Sequence, residues 1–96
     1  MNKPSATPRI EVETVAEGDY CVRVIEGASE STHRVTVKPA DFERLAAGKA
    51  APEELVRRSF EFLLERESKE SILTSFDLPL IARYFPEYES EIARRL

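Results

Sequence analysis

Several residue types on which metal and cofactor sites depend are scarce in this chain. Its 96 residues include one cysteine, one histidine and three glycines. One cysteine excludes an internal disulfide, and Cys21 with His33 cannot complete the four-ligand shell of a structural zinc. Three dispersed glycines exclude the glycine-rich loops that hold phosphates. We therefore predict no cofactor and no metal site.

Long apolar runs and a basic excess are also missing. No stretch approaches the ~18 apolar residues of a membrane helix, and residues 1–8 lack the apolar core of a secretory signal. Together with the single cysteine, these features predict a cytoplasmic protein that does not enter a membrane. The net charge of −4 makes nucleic acid an unfavourable partner, because phosphate binding depends on Lys and Arg.

The first half of the chain shows the period of two that is typical of strands. Residues 1–8 are expected to form a flexible tail, and residues 9–96 a single α+β domain. Alternating apolar and polar residues predict strands at 9–15, 20–26 and 32–38. Because the loops between them are short, we expect a three-stranded antiparallel meander with the middle strand at its centre.

After Pro39 the period changes to that of helices, and we expect about four to five of them on one face of the sheet. Asp41 is a candidate N-cap for a helix over 42–47, and Pro52 begins the strongest helix, which extends to about Glu67. Shorter helices are predicted over 68–76, 78–85 and 86–95. The apolar stripe of the long helix is predicted to pack against the sheet, and consists of Leu55, Val56, Phe60, Phe62, Leu63 and Leu64.

No residue is assigned as catalytic, although His33 and Cys21 are of types that often serve in catalysis. His33 is the only histidine, so an enzyme hypothesis would pair it with Glu11 or Glu13 on a neighbouring strand. We favour a strand histidine partly shielded at a sheet edge. Cys21 lies in an apolar strand, where cysteine usually packs as a small hydrophobic residue. A non-enzymatic protein is therefore the preferred interpretation.

Two groups of residues are candidates for an interaction surface. If Tyr20, Val22 and Val24 face the helices, then Cys21, Arg23 and Ile25 lie on the opposite face, where an apolar patch would favour association. The second group is aromatic and consists of Tyr84, Phe85 and Tyr88, residue types enriched at interface centres. The alternative, that these rings close the hydrophobic core, fits the sequence at least as well. We predict an interaction module that binds another protein or a second copy of itself.

The alternative to an interaction module is a nucleic-acid-associated regulator with a degenerate helix-turn-helix over 68–85. Two short helices would meet near Asp77 in a tight junction. The second of them is mostly apolar, however, and offers only Arg83 as a cation for bases or phosphates. Core packing explains this segment better than DNA binding does.

The segment from Ser59 to Ile92 is similar in sequence to other proteins. Its elements SFEFLLERE, SIL, FDL and YFPEY resemble those of a group of short bacterial proteins without an assigned function. The resemblance covers the helical half of the chain. It implies a bacterial, cytosolic setting and transfers no active-site residue.

Overall fold

The chain folds as an α+β structure with a four-stranded sheet. The computed structural model describes residues 8 to 96, so residues 1–7 of the predicted tail lie outside this range. The strands lie side by side in chain order: β1 (Arg9–Ala16), β2 (Asp19–Glu26), β3 (Ser29–Thr36) and β4 (Ser75–Asp77).

The first three strands form an antiparallel meander. β1 pairs with β2 and β2 pairs with β3, both antiparallel, which confirms the predicted topology of this half. Gly18 lies in the first turn at a φ of +75°, and its carbonyl accepts a hydrogen bond from the Val37 N–H at 2.9 Å. A Cβ atom at Gly18 would lie 2.9 Å from the Val37 carbonyl oxygen, so both the backbone angle and the available space require glycine there.

A fourth strand corrects the expected three-stranded sheet. The prediction of a helix over 68–76 is wrong: Lys69–Ser71 forms one 3-10 turn, and β4 pairs parallel with β3. The Arg34 N–H donates to the Thr74 carbonyl at 2.7 Å, which anchors the start of this pairing. β4 has only three residues, and alternation over so short a segment cannot be distinguished from a helical pattern.

Four α-helices are present in residues 8–96: α1 (Pro39–Ala46), α2 (Pro52–Leu64), α3 (Ile81–Tyr84) and α4 (Tyr88–Arg95), with a further 3-10 helix at Leu78–Leu80. Both α1 and α2 begin at a proline, because its fixed φ suits the first helical position. The predicted cap at Asp41 is therefore wrong, and this residue lies in the first turn of α1. The start of α2 is as predicted, whereas its end comes three residues earlier than Glu67.

The longest helix of the part described, α2, has 13 residues. Within residues 8–96, no helix has both the length and the hydropathy required to cross a bilayer.

The hydrophobic core lies on one face of the sheet. Phe60 of α2 is fully buried, and its ring centroid lies 5.3 Å from that of His33 and 6.0 Å from that of Phe76. The buried residues of the three long strands alternate with more exposed ones, as predicted, and are Ile10, Tyr20, Val22, Val24, His33 and Val35. The opposite face of the three long strands, called the open face below, carries mostly charged side chains.

Candidate functional site

An apolar groove lies between the C-terminal part of α2, β4 and α3. Its volume is about 210 Å³, and its lining residues are Leu63, Glu67, Ser71, Ile72, Leu73, Phe76, Leu80, Ile81, Tyr84 and Phe85. Two large apolar side chains of this groove remain wetted, with Leu73 47% and Tyr84 64% exposed. In residues 8–96, Val15 is the one other large apolar side chain with comparable exposure. Exposed apolar surface concentrated in one groove is typical of an interaction site.

A buried histidine holds the backbone that carries Leu73. His33 is 2% exposed, and its Nδ1 lies 2.8 Å from the Leu73 carbonyl oxygen. Because a carbonyl only accepts, we assign the proton to Nδ1, and Nε2 lies 2.8 Å from the Ser31 hydroxyl. The expected position at a sheet edge is wrong, since β4 covers that side of β3. His33 thus connects the sheet to the rim of the groove.

The pairing of His33 with Glu11 or Glu13 is not formed. His33 lies opposite Val22 on the core side of the sheet, whereas Glu11 lies opposite Arg23 on the open face. The Arg23 guanidinium binds the Glu11 carboxylate there at 3.0 Å. Across residues 8–96, moreover, no three His, Cys, Asp or Glu side chains are grouped closely enough to hold a metal ion.

The aromatic group Tyr84, Phe85 and Tyr88 is divided by the fold. Tyr84 and Phe85 line the groove, but the expectation that Tyr88 belongs to an exposed surface is wrong, because this side chain is 0% exposed. Its hydroxyl lies 2.6 Å from the Ser59 hydroxyl, which itself donates to the Leu55 carbonyl at 2.7 Å. Burial raises the pKa of Tyr88 well above its ordinary value. Tyr88 therefore closes the core.

The open face does not carry the apolar patch that was expected around Cys21, Arg23 and Ile25. Cys21 and Ile25 do lie on this face, but each is only partly exposed and has charged residues as its cross-strand neighbours. Arg23, between them, binds Glu11 at 3.0 Å and Glu30 at 3.1 Å. The hydrogen bond from Arg23 also lowers the pKa of Glu30. Paired charges therefore separate the two apolar side chains and suit this face to water.

The helix-turn-helix is not formed as a pair of α-helices. Its first helix is replaced by a 3-10 turn and β4, whereas the second is present over residues 78–84 as the 3-10 helix Leu78–Leu80 followed directly by the short α3. A recognition helix needs several turns to place side chains along a groove of DNA. The segment instead builds the wall and the floor of the apolar groove.

Residues that the sequence interpretation placed in a core helix form part of the groove. Ile72 is 5% exposed and its neighbour Leu73 is 47% exposed, although their side chains are equally apolar. The backbone is extended at Ile72, so successive side chains point to opposite sides. Periodicity could not identify this pair, because the helical assignment sets successive side chains about 100° apart, whereas the extended backbone sets them on opposite sides.

No family model, curated protein or solved structure matches this chain. The groove combines two exposed apolar side chains, Leu73 and Tyr84, with the carboxylate of Glu67 and the hydroxyl of Ser71.

Proposed function

We propose that the chain is a small, non-enzymatic protein-interaction module and that the groove between α2, β4 and α3 is its docking surface. The observation that supports this proposal is the exposure of Leu73 and Tyr84 at one concave site. Full burial of a large apolar side chain contributes about 1.5–3 kcal/mol, so covering both residues would favour association. The open face, with its paired charges, offers no comparable gain.

The size of the groove favours a protein side chain as its occupant. Its volume of about 210 Å³ is below the roughly 300–1,000 Å³ of typical small-molecule pockets. Interfaces often depend on one or two large side chains that enter such a pocket while neighbouring contacts exclude water. We propose that a segment of another protein provides this anchor, in the bacterial, cytoplasmic setting that the sequence resemblance implies.

A selection experiment tests the docking surface without a known partner. A phage-displayed library of random peptides is selected against the full chain, and the enriched peptides are synthesised. Their affinities are then measured for the wild type, for the double variant Leu73→Gln/Tyr84→Gln and for Val15→Gln. Val15 is the matched control, since it is 49% exposed and lies outside the groove. We expect the double variant to lose at least about tenfold in affinity, or about 1.4 kcal/mol, and Val15→Gln to bind as the wild type does.

Two results would overturn the proposal. If the peptides bind the double variant and the wild type with equal affinity, the groove is not part of the binding site. A concentration-dependent dimer in sedimentation velocity, abolished by the same double variant, would instead identify a second copy of this chain as the occupant.

A further inference from the structure

One carboxylate in the wall of the groove has no cationic partner. Glu67 is partly buried, and among residues 8–96 no Lys or Arg nitrogen lies within 4.0 Å of its carboxylate. None of the side-chain hydrogen bonds to carboxylates in these residues ends on Glu67. A charge at the edge of an apolar groove is tolerated only while water reaches it.

Two carboxylates close to Glu67 in sequence, those of Glu65 and Glu70, each have a cationic partner. Glu65 accepts from the Arg95 guanidinium at 2.7 Å, and Glu70 accepts from the Lys69 ammonium at 2.6 Å. These bonds lower the pKa of both carboxyl groups. Of the three neighbouring carboxylates Glu65, Glu67 and Glu70, Glu67 is therefore the one that has no cationic partner among residues 8–96, although cations lie close to this region.

We infer that the docking partner presents a Lys or Arg beside its large apolar anchor and that Glu67 binds this cation. The inference rests on the proposed function, because it specifies the chemistry of the segment that enters the same groove. A partner that covers Leu73 and Tyr84 would also displace water from Glu67. Covering a carboxylate without a counter-charge is costly, so a cation on the partner turns an unfavourable contact into a favourable one.

The test uses the enriched peptides from the selection against the full chain. We expect them to share a large apolar residue with a Lys or Arg adjacent to it in the bound segment. Glu67→Gln keeps the size and removes the charge, and should weaken these peptides about 10- to 100-fold. Glu13→Gln is the control, since Glu13 is exposed, has no cationic partner in residues 8–96 and lies outside the groove.

A charge reversal makes the test specific. Glu67→Lys should bind the parent peptide poorly and should recover affinity when the basic residue of the peptide is replaced by Glu. Circular dichroism of each variant shows whether it is folded before affinity is compared.

The two proposals fail in distinguishable ways. If the peptides lose affinity with Leu73→Gln/Tyr84→Gln but not with Glu67→Gln, the groove is a docking site and the cation inference is wrong. If neither change affects binding, the docking site itself is wrong.

Discussion

Apolar residues are buried on one side of α2 and partly exposed to water on the other. On one side, Phe62 and Tyr88 pack edge to face with ring centroids 5.4 Å apart, and the Arg66 guanidinium carbon lies 3.7 Å above the Phe62 ring. Together with Ser59, these residues form a closed cluster in which the buried polar groups bond to one another. On the other side, the groove leaves Leu73 and Tyr84 in water.

The difference shows which apolar residues folding requires. In residues 8–96 no buried side-chain polar atom lacks a hydrogen-bond partner, so the closed cluster and the core are internally complete. The groove is incomplete in two respects, since it has wetted apolar side chains and a carboxylate without a cation. We therefore expect mutations in the two regions to have opposite effects on stability and on binding.

Phe60→Ala is expected to have the largest effect. This fully buried ring contacts His33 and Phe76, so its removal should lower the free energy of unfolding by about 3–5 kcal/mol, as measured by urea denaturation. A loss near zero would show that α2 does not pack on the sheet as described.

His33→Phe is expected to have the next largest effect, on the wall of the groove. The substitution removes the hydrogen bond to the Leu73 carbonyl and should cost about 1–3 kcal/mol. Hydrogen exchange of the amides in residues 72–77 should become faster than in the wild type. Unchanged exchange there would mean that His33 does not hold this segment.

Tyr88→Phe removes one oxygen atom, the hydroxyl of Tyr88, from the closed cluster. Loss of the hydroxyl that bonds to Ser59 should lower the free energy of unfolding by about 0.5–1.5 kcal/mol. Burial raises the pKa of Tyr88 in the folded chain, so its contribution to stability is complete below the unfolded value of about 10 and is lost as the pH rises above it. Stability measured between neutral and strongly alkaline pH should fall less steeply in Tyr88→Phe than in the wild type. Tyr84→Phe, at an exposed ring, is the control.

Leu73→Gln and Tyr84→Gln are expected to have the smallest effect on stability. Because Leu73 is about half exposed and Tyr84 is mostly exposed, each substitution should change the free energy of unfolding by less than about 1 kcal/mol. Losses above about 2 kcal/mol would place these residues in the core and would remove the distinction between groove and closed cluster.

Much of the fold could be predicted from residue periodicity, but the apolar groove could not. Tyr20, Val22 and Val24 alternate over a full strand, so the covered face of β2 is predictable, as is the stripe around Phe60. β4 is too short for such a pattern, and it decides the position of Leu73. Tyr84 and Tyr88 are equally aromatic in sequence, but Tyr88 lies on α4, which packs against α2, and is buried, whereas Tyr84 at the end of α3 is exposed.

Chemical-shift mapping tests the central claim most directly. The ¹⁵N-labelled full chain is titrated with an enriched peptide, and the perturbed amides are assigned. The docking proposal predicts the largest changes in the groove, at Glu67, Leu73, Phe76 and Tyr84. Changes confined to Cys21, Arg23 and Ile25 would contradict it and would place the interaction on the open face of the sheet.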